Sequence, residues 1–258
     1  MTSPPAPAGA LLRLDHVGHT FGDIEVVRDL SLEVRRGEFV ALVGPSGCGK
    51  TTILNLCSGW LEPTTGAVDG PARVRMVFQQ DGLFPWLTVG ENVRLGLRHL
   101  PGERERSGRS RALLELIGLE SFETHYPHQL SGGMRQRVEL ARAIGGDTDV
   151  LLLDEPFSSL DYLARLKMRA ELARLLRDQP RTVVLVTHDI EEAAQLADRV
   201  FVLSDRPASI RDEVSLDAAR PRDPTHPSVV AAVHRILMEL GLERDAELAT
   251  GDRVEGRS

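Results

Sequence analysis

The sequence predicts an α/β fold: a parallel sheet core, an antiparallel β segment ahead of it and a helical segment within it. Three observations lead there. Short apolar runs recur at 38–44, 72–78, 149–155, 181–188 and 198–204. Three of them are nearly continuous, as strands covered on both faces are. Helical patterns separate several of these runs, and strand–helix–strand alternation implies parallel pairing. The first forty residues instead alternate apolar and polar with period two, as in an antiparallel hairpin.

Each element follows in order. Residues 1–10, "MTSPPAPAGA", are rich in Pro and Ala and read as a flexible tail. They lack the basic and long apolar regions of a signal peptide. "LLRLDHVGHTFG" (11–22) and "RDLSLEVRRGEF" (28–39) make the hairpin. "EFVALVG" (38–44) is a strand feeding the helix "KTTILNLCSG" (50–59). Residues from about 85 to 140 read as helix and loop, and "GERERSGRSR" within them reads as a charged, solvated stretch. "ARLKMRAELARLLRD" (164–178) and "IEEAAQLAD" (190–198) are helices between the later strands. "PSVVAAVHRILMEL" (227–240) is a last amphipathic helix. One domain over 11–240, with a helical subdomain at about 85–140 and a tail at 241–258, is the expected organisation.

The chain has 258 residues, 41% of them hydrophobic, enough for a sizeable core. Its net charge of −7 argues against binding nucleic acid through a basic surface. Two cysteines, Cys48 and Cys57, suggest a reducing compartment rather than a disulfide framework. No apolar run approaches the ~18 residues of a membrane span. A cytoplasmic protein that docks on a membrane partner fits these facts.

"GPSGCGKT" (44–51) fits G-x-x-x-x-G-K-[ST] between a strand and a helix. The loop Gly44, Pro45, Ser46, Gly47, Cys48, Gly49 lets backbone N–H groups curl around phosphate oxygens, and the following helix adds its positive end. Lys50 reaches the β- and γ-phosphates, Thr51 ligates Mg²⁺, and Thr52 adds a phosphate contact. Cys48 reads as a small residue supporting the loop. "VLLLDEP" (150–156) is an apolar strand ending in two carboxylates. Asp154 is placed to hold the Mg²⁺ shell. Glu155 points elsewhere, because neighbours in a strand alternate sides, and is free to polarise water as general base.

With these residues, "LSGGMRQRVEL" (130–140) is identifiable, and the chain resembles the ATP-binding subunit of ABC transporters from about residue 11 to 240. The resemblance implies a RecA-like P-loop core with ATP and Mg²⁺, and roles for several further residues. Phe21 would stack on adenine. Gln79, in "VFQQ", would be the Q-loop glutamine, a catalytic residue and Mg²⁺ ligand. Ser131, Gly132 and Gly133 would form the signature loop, Asp161 would end the D-loop, and His188 would be the switch histidine. In the family two such domains pack head to tail, and the signature of one closes on the γ-phosphate held by the other. The second phosphate-binding loop therefore serves a partner, and a homodimer is implied. Simpler readings stand beside some of these: Phe21 as a core aromatic, Gln79 capping a turn, His188 as structural, and "SSLD" as a helix N-cap.

Lys50 and Ser131 are 81 positions apart, which leaves no room for the coiled coils of DNA-repair relatives. A single separate cassette resembles an importer subunit with two permease subunits and a substrate-binding protein. "LFPWLTVGENVRLGL" (83–97), with Pro85–Trp86, "THDIEEAAQLADRVFVLSDRPASI" and "RPRDPTHP" are similar to the nitrate/sulfonate/taurine importer branch. About 54 residues follow Ser204, too few for the C-terminal regulatory domain of sugar importers. The function implied is to energise uptake of a small anion from the inner face of the membrane. The alternative is an ATPase module of a non-transport machine.

Overall fold

A computed structural model describes residues 10–78, 82–178 and 180–242. Strands β1 (Ala10–Phe21) and β2 (Ile24–Arg35) form the expected antiparallel hairpin. The wholly buried β3 (Phe39–Val43) leads to α1 (Lys50–Cys57), then β4 (Thr65–Asp69) and β5 (Val74–Val77). Helices α2 (Val89–Gly96), α3 (Glu103–Leu116) and α4 (Gly132–Gly145) fill the span before β6 (Val150–Asp154). Then come α5 (Tyr162–Asp178), β7 (Thr182–Thr187), α6 (Ile190–Leu196), β8 (Arg199–Leu203), β9 (Ile210–Ser215) and α7 (Pro227–Glu239).

Two sheets result. The larger has the order β5-β6-β7-β3-β8-β9 and the smaller β2-β1-β4. Pairing in the larger sheet is parallel from β5 through β8, while β9 joins antiparallel at the edge. β4 and β9 have no counterpart in the sequence reading. The stretch "GERERSGRSR" is the start of α3; its first turns are mostly exposed, and Ser110 is the first residue to be buried. α4 runs on to Gly145, past the expected boundary at about 140.

The large sheet separates two apolar layers. Phe39, Ala41, Val43, Leu151, Leu153, Val183 and Leu185 face the layer that holds Val93, Leu113, Val138 and Leu172. Val40, Leu42, Leu152, Val184 and Val186 face Leu14, Val17 and Leu30 of the hairpin and Ile53 and Leu54 of α1. Full burial of such a side chain contributes roughly 1.5–3 kcal/mol, so the strands must be apolar on both faces. Ahead of α2, Thr88 and Glu91 form a capping box. The buried Asn92 accepts from Phe84 N–H and donates to the carbonyls of Phe84, Leu87 and Thr88. This fixes 83–88 and leaves Phe84 and Trp86 exposed. Among the described residues no helix is long and apolar enough to cross a membrane.

Candidate functional site

The site begins where β3 ends. Its five buried residues stop at Val43, and the chain turns through Gly44–Gly49 into α1. Gly49 is the N-cap of α1 with φ +123° and no side-chain cap. A Cβ there would lie 3.0 Å from Val26 Cγ1 and 3.1 Å from the Val26 carbonyl, so the backbone needs glycine for its conformation and its clearance. An uncapped helix start presents N–H groups to an anion. Lys50, 6% exposed, donates to the Gly44 and Pro45 carbonyls at 2.7 and 2.8 Å. Cys48 is buried, and burial pushes its thiol upward, the opposite of a reactive thiolate.

A cavity of about 470 Å³ opens above this loop, lined by Phe21, Ser46, Lys50, Thr51, Glu155 and Arg206 among others. Its volume suits a nucleotide-sized ligand. Phe21 ends β1, is 47% exposed and meets His19 edge-on at 4.5 Å; it is not a core aromatic. Arg206 had no signal of its own in the sequence, since it lies on a loop outside every phosphate motif.

β6 delivers the acidic pair. Asp154 ends the strand 3% exposed, and burial pushes its carboxyl up while a hydrogen bond with Thr51 opposes that shift. Two hard oxygen donors in contact suit Mg²⁺, which binds through one or two protein ligands plus phosphate and water. Glu155 is not a continuation of the strand. Its φ is +47°, so strand alternation does not explain its direction. A left-handed turn does, and it brings Glu155 Oε1 to 3.1 Å from His188 Nδ1.

His188 sits between Thr187, the last residue of β7, and Asp189, the N-cap of α6. Asp189 accepts from Glu192 N–H at 2.9 Å, and it is paired with Arg165 and Arg169 of α5. Thr187 donates its hydroxyl to Glu192 at 2.7 Å. Burial pushes the Glu192 carboxyl up to about 7, against that hydrogen bond and the nearby Arg169. Folded protein therefore holds this proton above the ordinary carboxylate range, where the unfolded chain has released it. Stability should fall as pH rises from that range to about 7 and then level off. Thermal melts of Glu192→Gln against the parent should show that fall lessened; parallel curves would exclude Glu192 as its source.

The signature residues stand apart. Ser131 caps α4, its hydroxyl accepting from Met134 N–H at 3.3 Å. Ser131, Gly132 and Gly133 do not line the cavity above Lys50. Asp161 caps α5 by accepting from Ala164 N–H at 2.9 Å, so the N-cap reading of "SSLD" holds in the structure. Gln79 lies outside the described residues. The buried Gln136, which joins α4 to Glu155 and Ser159, had no role in the sequence reading.

A phosphate loop on a parallel sheet, with an acidic strand end beside it, defines a P-loop nucleotide-binding protein. The family model described as "ABC transporter" matches residues 27–158. The chain belongs to the ABC transporter family. It is 48% identical over 224 residues to the aliphatic sulfonates import ATP-binding protein SsuB 1 of Rhodococcus jostii (strain RHA1), covering 84% of this chain and 88% of that protein. It is 42% identical over 208 residues to the taurine import ATP-binding protein TauB of Jannaschia sp. (strain CCS1), covering 77% of each. Among solved structures it resembles the dimeric post-hydrolysis state of the ATP-binding cassette MJ0796 bound to ADP and Pi. That likeness has a TM-score of 0.71 and 33% identity, over 81% of this chain and all of that one.

Proposed function

We propose that this chain is the ATP-hydrolysing subunit of an importer for small organosulfonates, working as a homodimer on two permease subunits. The observation that carries the chemistry is the Glu155–His188 pair beside the cavity that Lys50 and Thr51 line. Both relatives named above for their cargo carry sulfonates, which narrows the anion class.

The roles divide by position. Gly44–Gly49 and the start of α1 cradle the phosphates, Lys50 leaves its loop carbonyls for the β- and γ-oxygens, Thr52 adds a phosphate contact, and Phe21 stacks on the base. Thr51 and Asp154 hold Mg²⁺, which supplies charge neutralisation at the transferring phosphoryl group. Gln79 is carried from the family pattern as a further ligand and sensor. Glu155 takes a proton from the attacking water. His188 donates to the γ-phosphoryl oxygens as charge builds there, and the Glu155 contact orients its ring. Ser131–Gly133 offers the start of α4 to the partner's nucleotide, and Asp161 sits beside that junction. Phe84 and Trp86, held outward by the Asn92 cluster, grip a cytoplasmic helix of the permease. The subunit then sits on the inner face of the membrane.

Co-expression with the membrane subunits of a sulfonate importer from the same cell tests this. In detergent the chain should co-purify with the permease. Its deletion should lower uptake of a short alkanesulfonate or taurine by ~10-fold or more while sulfate uptake continues, as loss of the only energised step requires. Failure to co-purify with any permease, with uptake unchanged on deletion, would favour the non-transport alternative.

A further inference from the structure

Gln136 is 5% exposed on α4, five residues beyond Ser131. Its amide is engaged at both ends. Nε2 donates to the Glu155 carbonyl at 3.1 Å. Oε1 accepts from the Ser159 N–H at 3.2 Å and from the Ser159 hydroxyl. A buried amide satisfied on both sides is costly to disturb, because either lost partner leaves an orphan.

The carbonyl it holds belongs to a strained residue. Glu155, at φ +47°, occupies a region that costs a residue with a side chain on the order of 1 kcal/mol or more. The local fold must therefore keep it there. Glu155 N–H donates to the Val186 carbonyl at 2.9 Å. Its carbonyl also accepts from Ser158 N–H and hydroxyl at 3.2 and 3.0 Å. On that carbonyl Gln136 adds the tie that comes from another element, as Val186 of β7 does on the N–H. Freed of it, the peptide after Glu155 could rotate and take the carboxylate away from His188.

The same helix touches this loop once more. A Cβ on Gly133 would lie 2.9 Å from Leu160 Cδ2 and 3.3 Å from the Ser159 carbonyl. The first turn of α4 therefore lies directly against 159–160, and Gln136 clamps the same loop further along. A shift of the α4 start cannot occur without pressing on this segment.

We infer that Gln136 is a positioning residue for hydrolysis: it ties the start of α4, which meets the partner's nucleotide, to the backbone of Glu155, which serves its own. This rests on the function proposed above, with Glu155 as base and Ser131–Gly133 acting across the dimer. One subunit then carries a mechanical link between the two nucleotide sites, with Gln136 as its fixed point.

Gln136→Met keeps the length of the side chain and removes both hydrogen-bonding ends. The test uses mixed dimers of differently tagged full-length subunits, one carrying Glu155→Gln so that a single hydrolytic site remains. Single-turnover hydrolysis of preloaded Mg-ATP is measured with Gln136→Met in either subunit. Placed with the intact Glu155, it should slow hydrolysis by ~10-fold or more, as displacement of a catalytic group does. Nucleotide affinity should stay within about twofold. Placed in the Glu155→Gln subunit, it should leave the rate within about twofold of the mixed dimer that lacks it. Slowing in both placements, in the second alone, or in neither overturns the inference. If Gln136→Met fails to fold, Ser159→Ala removes the hydroxyl donor from the same amide and must give the same one-sided slowing, or the inference is again overturned. A Glu155→Gln homodimer that still turns over would remove both this inference and the role of Glu155. An inactive one with no one-sided effect of Gln136 removes the inference alone.

Discussion

Glu155→Gln is expected to bind ATP as the parent does and to turn over ~10²-fold more slowly or worse, the range for losing a general base. The substitution keeps shape and hydrogen-bonding capacity but cannot accept the proton of the attacking water. The backbone ties of Glu155 to Val186, Ser158 and Gln136 do not depend on its side chain. The left-handed turn should thus survive, and with it the mouth of the cavity. Bound ATP that cannot be cleaved should hold the dimer together, so the variant should run as a dimer on gel filtration in Mg-ATP. His188→Ala should likewise lose most activity with little loss of affinity, because its ring is 57% exposed and its proposed role is to stabilise charge that develops late. Turnover near normal in Glu155→Gln would remove Glu155 from the role.

Complementation between two broken subunits should be all or none. Take Lys50→Ala in one subunit and Gly132→Asp in the other. A Cβ on Gly132 meets nothing closer than Arg135 at 3.8 Å, and an acidic residue suits a helix start. The second lesion therefore leaves the fold of its own chain intact. What it places against the partner's γ-phosphate is a carboxylate, and like charges in a crevice poor in water oppose closure. Each homodimer has two damaged sites. In the mixed dimer both lesions fall on one site, and the other keeps an intact Lys50 loop and an intact signature. Measured as ATP-dependent pairing of differently tagged subunits in a Glu155→Gln background, the mixture should dimerise where neither homodimer does. If the signature served its own chain's nucleotide, the mixture would do no better than its components.

How much of this was legible in the chain depended on the signal each element carries. The four interior strands of the large sheet, β6, β7, β3 and β8, were readable because both faces are buried, which forces apolar runs such as "VLLLD". β4 and β9, "TGAVD" and "IRDEVS", lie at sheet edges with at least half of their residues exposed and carry no such run. The phosphate loop and "LSGG" were readable because close backbone approach to an anion demands glycine at fixed spacing. The aim of Glu155 was not, since a left-handed φ at a residue with a side chain has no local signature; tertiary hydrogen bonds impose it. Nor was Glu192, whose neighbour Glu191 is exposed while Glu192 is buried. Adjacent glutamates look alike until α5 supplies Arg169. Gln136 was inside a quoted motif, yet its partners lie 19 and 23 positions away.

The place of β3 in the sheet has a consequence for synthesis on the ribosome. β3 carries the phosphate loop, but among the described residues its sheet neighbours are β7 and β8, and β7 begins at residue 182. At ~5–20 residues per second, a nascent β3 waits on the order of ten seconds for a partner. During that interval its two apolar faces and both hydrogen-bonding edges are uncovered, apart from what the hairpin and α1 can shield. The loop proposed to hold ATP thus takes its final shape late, although it is among the first parts made. The nucleotide can reward folding only after most of the chain has emerged, so yield in the cell should depend on chaperones that bind exposed β segments and little on ATP binding by the incomplete chain.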